Sequence, residues 1–267
     1  MKEKGNAVVS IILFIIVVIL VLFILVEHGV VNIPGFEFLK IENTTADQSP
    51  KEAVIETSNP NVKALIEQVH NPSQPIDEVI YKNGGAKVSE MSQEYKFAIA
   101  TNNKNLSLTA MTPTPEGYTA YISEKDVKAA YEKLFGLGTY KATTSFNFGC
   151  APMTYDNVNA RYVTNVTDCG NAITPTSVSE EVVEATKSEK NLTVVTAVVF
   201  YDSASGKLYK DANLTEEIQI TNKATLTEEQ LSQYTIENAN SLQQYRYTFN
   251  IGTDGFYYYD SVERING

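Results

Sequence analysis

Apolar and polar positions along the chain fall into three regimes. Residues 7–26, AVVSIILFIIVVILVLFILV, are apolar throughout apart from Ser10. A helix of that length, rising ~1.5 Å per residue, matches the ~30 Å hydrocarbon core of a bilayer. In lipid the modest helix propensity of Ile and Val is overridden, because the backbone must satisfy its own hydrogen bonds. The run therefore predicts a transmembrane helix. Residues 27–58 turn mostly polar and include Gly29, Pro34 and Gly35, which reads as a tether. From residue 59 onward, segments with periods of 3.6 and then of 2 predict a folded domain.

Asn59-Pro60 supplies an N-cap and an N1 proline, and Val62, Leu65, Ile66 and Val69 follow at i, i+3, i+4 and i+7. This predicts an amphipathic helix over 60–70, stopped by Asn71-Pro72. A second helix is expected over 89–101, with Met91, Tyr95, Ala98 and Ile99 apolar. The clearest helix covers 123–135: Ser123 caps it, Asp126 is at N3, Ile122 and Val127 staple it, and Gly136 closes it. Thr227, Gln230 and a Leu226/Leu231 staple repeat that start.

The remaining segments alternate like strands. Residues 140–148 and 161–166 flank a turn at Asp156-Asn157, and 182–186 and 191–201 form a hairpin through Glu189-Lys190. In the last hairpin Tyr245, Tyr247, Phe249 and Ile251 alternate, residues 252–255 turn, and 256–265 return. Early helices and later antiparallel strands predict an α+β fold, with helices packed on one face of a curved, mainly antiparallel sheet. The expected organisation is a cytoplasmic head (1–6), the transmembrane helix (7–26), the tether (27–58) and an extracytoplasmic domain (59–267). This element order resembles cystatin-like and NTF2-like folds, and the resemblance implies a fold only.

Orientation follows from charge. Lys2 and Lys4 precede the apolar run while Glu27 and His28 follow it, which holds the N-terminus in the cytoplasm and places the domain outside. The run is too long for a cleaved signal peptide and lacks a small-residue cleavage site. Lys4-Gly5 resembles a type IV pilin processing site. Ser10 stands where a pilin has glutamate, however, and Gly29, Pro34 and Gly35 interrupt the helix a pilin continues. The whole chain carries −11 at neutral pH, and its arginines, Arg161, Arg246 and Arg264, form no cluster. That charge excludes nucleic acid as a partner and favours neutral or cationic ones.

Cys150 and Cys169 are the only cysteines. Outside the cytoplasm they are expected to form one disulfide, the alternative being two reduced thiols.

Catalytic chemistry is sparse. His70 is the one histidine of the exported part, too few for a zinc site of the usual kind, and it reads as a surface or helix-capping residue. His70, Cys150, Arg161 and an N-terminal anchor make the inventory of a sortase, but no threonine-rich strand precedes Cys150. Glu180-Glu181, Glu216-Glu217 and Glu228-Glu229 read as solvated turns and helix starts, and residues 202–206 as a turn rather than a calcium loop. No catalytic, metal or cofactor-binding residue is assigned. The final hairpin is rich in tyrosine, and Tyr245, Tyr247, Tyr257, Tyr258 and Tyr259 are a candidate binding surface, the alternative being a half-buried aromatic sheet.

The layout resembles single-pass, membrane-anchored extracytoplasmic proteins of low-GC Gram-positive bacteria. The features that carry this are the Met1-Lys2-Glu3-Lys4 head, the preference for lysine over arginine, the capped helix from Ile122-Ser123-Glu124 to Leu134-Phe135-Gly136, the two-cysteine middle and the tyrosine-rich hairpin. The resemblance implies a place in the envelope and no activity. The expectation is a non-catalytic binding or envelope-assembly module with a protein or cell-wall partner. The alternatives are an envelope hydrolase using a carboxylate pair and a pilin-like structural subunit.

Overall fold

Thirteen strands and four α-helices make up the described part of the chain. The structure, a computed structural model, describes residues 52–71, 76–101, 106–114, 117–149, 151–167, 176–219 and 226–266. The expected membrane helix, the tether up to residue 51, and both Cys150 and Cys169 lie outside these residues. Among the described residues no helix is long and apolar enough to cross a membrane.

In chain order the strands are β1 (Ala53–Val54), β2 (Gly85–Lys87), β3 (Thr109–Thr114), β4 (Gly117–Ser123), β5 (Ser145–Phe148), β6 (Ala151–Asp156), β7 (Arg161–Thr167), β8 (Thr176–Lys187), β9 (Asn191–Asp202), β10 (Lys207–Tyr209), β11 (Glu217–Ile218), β12 (Gln243–Ile251) and β13 (Tyr257–Asn266). The helices are α1 (Pro60–Gln68), α2 (Gln93–Thr101), α3 (Glu124–Phe135) and α4 (Glu228–Glu237), with a single π-helical turn at Glu78–Lys82. The fold is α+β and every strand pairing is antiparallel.

The strands form two sheets rather than the one expected. The larger runs β1-β8-β9-β12-β13-β2, with β10 and β11 added beside the end of β9; the smaller runs β3-β4-β7-β6-β5. β3, β4 and β6, none of them among the expected strands, build the second sheet together with β5 and β7. The segment expected as one strand over 140–148 is extended only from Ser145 to Phe148, then turns back to pair Asn147 with Pro152. Phe97, Tyr131, Phe146 and Tyr162 join the small sheet to α2 and α3 within the main core.

Strand β9 organises the larger sheet. Every residue from Val194 to Tyr201 is buried, and alternation divides them between two cores. Val194, Val198 and Phe200 face the main core with Tyr245, Tyr247 and Phe249. Val199 and Tyr201 face the other way and pack with Leu208, Leu231 and Leu242 beneath α4. Helices therefore cover both faces of this sheet, which corrects the expectation of one. It also explains the uninterrupted run VVTAVVFY: a strand buried on both sides has no polar face to show.

Candidate functional site: a cleft between the first helix and strand β8

Val62 and Ile66 bury one stripe of α1, and Val69 is wholly buried just after its end. Packing of this stripe points His70 at the larger sheet. Seven residues on, Asp77 caps the π-helical turn by accepting from the backbone N–H of Val79 (2.9 Å) and Ile80 (3.1 Å). Its other oxygen accepts from Asn71 N–H (2.9 Å) and the Tyr95 hydroxyl (2.8 Å). The turn delivers Tyr81 beside His70, with the rings stacked 5.6 Å apart at 20°. Arg264 donates to the Tyr81 carbonyl at 2.6 Å and fixes the turn from the sheet side.

Glu180 is the centre of the site. Its side chain is only 9% exposed. One oxygen accepts from the Tyr81 hydroxyl at 2.6 Å and lies 2.8 Å from His70 Nε2. The other accepts from Thr196 Oγ1 at 2.6 Å and the Tyr247 hydroxyl at 2.8 Å. Four donors match the roughly four lone-pair sites of a carboxylate, which is what a buried charge requires. The register brings them together: Thr196 faces Val182 across β8–β9, while Tyr247 faces Val194 across β9–β12.

Electrostatics favour the ion pair. Burial alone would push the His70 imidazole down, yet the Glu180 charge and hydrogen bond, helped by Asp77 and Glu67, hold it above its ordinary value. Burial likewise pushes Glu180 up, and His70, Thr196 and Tyr81 together bring it below the usual carboxylate range. Tyr81 and Tyr247 are pushed well up, first by burial and then by the Glu180 charge, so both stay protonated as donors.

Beside this cluster lies an open cavity of about 380 Å³, toward the small end of ligand-binding pockets. Ile66, Val178 and Val182 give it apolar wall; Lys63, Glu67, His70, Asn71, Asp77, Tyr81, Glu180 and Glu181 supply the polar part. Lys63 and Glu181 form an ion pair of 3.0 Å at its rim. No group of three or more His, Cys, Asp or Glu side chains among the described residues is arranged to hold a metal ion.

The structure revises several sequence expectations. His70 is neither a free surface group nor a simple cap, since its side chain is 21% exposed and pairs with Glu180. Glu180 is a half-buried member of β8, not a solvated turn residue. The five hairpin tyrosines share no exposed platform: Tyr245, Tyr247 and Tyr259 are buried, while Tyr257 and Tyr258 are partly exposed. Alternation places Tyr245, Tyr247 and Phe249 together on the core-facing side of β12. Tyr81, Thr196 and the role of Tyr247 were missed. The available signal was Val178-x-Glu180-x-Val182, which puts a carboxylate on the apolar side of a strand. Comparison of the chain with family models, curated proteins and solved structures finds no match, so the reading of this cleft rests on its own residues.

Proposed function

We propose that the chain is a membrane-anchored, extracytoplasmic binding module, held in the bilayer by residues 7–26 and taking a ligand of the cell envelope in the α1–β8 cleft. The lysine-flanked apolar run supports the anchor and its orientation, and an extracytoplasmic domain would join Cys150 to Cys169 as a disulfide. The likeness to cystatin-like or NTF2-like folds is one of element order and adds no activity. One observation carries the binding reading. Buried Asp77 and mostly buried Glu180 have their oxygens committed to donors from the protein, while an open cavity remains beside them. A general acid or base needs a lone pair or proton directed at substrate, and these groups direct theirs inward. Those bonds tie the cleft wall to four segments of the fold, which suits a preformed binding site.

The alternative, an envelope hydrolase working through a carboxylate pair, makes the opposite prediction. Full-length protein incubated with purified cell-wall glycan should release no soluble product. Turnover that disappears in Glu180→Gln would overturn the binding reading in favour of hydrolysis.

A further inference from the structure

We propose that Glu181 at the cleft rim is a binding site for an organic ammonium ion, and that Lys63 is its intramolecular placeholder. This rests on the binding reading of the cleft and names the chemistry of the ligand.

Two of the four acids lining the cavity already hold a cation belonging to the protein. Glu180, at the inner end, holds the His70 imidazole at 2.8 Å in a saturated, mostly buried cluster. Glu181 holds the Lys63 ammonium at 3.0 Å under different conditions. Its side chain is 13% exposed whereas that of Lys63 is 45% exposed. The carboxylate is therefore set into the wall, and the lysine reaches it from solvent along a flexible stem. An exposed ion pair of this kind contributes little and is readily exchanged. Among the described residues the bond that holds the Glu181 carboxylate is the one from Lys63, and both side chains line the cavity.

The surroundings favour the same ligand. Glu67, Asp77, Glu180 and Glu181 outnumber Lys63 and a charged His70, so the lining is net acidic in either state of the histidine. Glu180, Asp77 and Glu67 all act to hold the His70 proton against burial. Ile66, Val178 and Val182 offer apolar wall to a short hydrocarbon stem behind the charged head. An anion would face both these carboxylates and the acidic domain as a whole.

The test uses full-length protein in detergent micelles with methyl-labelled Ile and Val, so that Ile66, Val178 and Val182 report from the cavity. The probes are n-butylammonium, n-butanol and butyrate. Butylammonium should shift these methyl signals saturably and more tightly than the other two. Glu181→Gln should weaken that binding about fivefold or more, and Lys63→Ala should tighten it severalfold by emptying the site. Equal or stronger binding of butanol or butyrate would leave the cleft a binding site and overturn its assignment to ammonium. So would an unchanged affinity in both variants. No saturable shift from any probe, in wild type or in Lys63→Ala, would overturn the binding reading of the cleft as well.

Discussion

At the scale of single residues, Glu180 carries more consequence than any other side chain described. It gathers donors from four segments, and removing it strips the Tyr81, Thr196 and Tyr247 hydroxyls of their acceptor and His70 of the charge that holds its proton. Glu180→Ala should cost roughly 3–5 kcal/mol, read as a lower urea midpoint near neutral pH. The pair also sets a pH profile. Folding raises His70 from 6.5 and lowers Glu180 from 4.5. The His70 contribution is complete below 6.5 and is lost as pH climbs through its raised folded value. The Glu180 contribution is complete above 4.5 and is lost as pH drops through its lowered folded value. Stability should thus decline on both sides of a plateau, and urea titrations across pH should show the alkaline decline abolished in His70→Ala. Little of this was legible beforehand. His70 and Tyr247 are 177 positions apart, and nothing local in the sequence announces that β8 and β12 flank the same central strand.

Elements were far more legible, because the forces that start and stop a helix act within one turn. Ser123 accepts from Asp126 N–H at 3.1 Å, as its spacing predicts. Thr227 and Gln230 make the full capping box, at 3.2 and 2.9 Å. Thr227→Ala should cost about 1 kcal/mol, measurable by urea denaturation. The π-helical turn was illegible for the opposite reason, since it is held by distant partners, Arg264 and Tyr245 among them. Its exit depends on Gly85, which has φ +99° and lies so close to Val262 that a Cβ would run into the Val262 carbonyl. Gly85→Ala should destabilise by roughly 1–3 kcal/mol from backbone strain alone, with β2 amides losing hydrogen-exchange protection first. The strand count fell short at β1, β2, β3, β4, β6, β10 and β11; where β5 doubles back into β6, apolar alternation continues on both sides of the turn, so the pattern alone does not place that break.

At the scale of the whole molecule, the expected topology and cysteine pairing make separate predictions. A reporter fused after residue 267 should be active only outside the cytoplasm. Denatured full-length protein should yield thiols to a colorimetric reagent only after reduction. The central strand has a consequence of its own. During synthesis, the stretch from Val194 to Tyr201 leaves the ribosome long before β12, its neighbour from Gln243 onward, exists to shield its edge. Uncharged, free of proline and rich in β-branched residues, it is the kind of sequence that stacks with copies of itself. Folding of this protein is therefore a race between completing the sheet and self-association, and a chain ending before β12 should be recovered as insoluble aggregate.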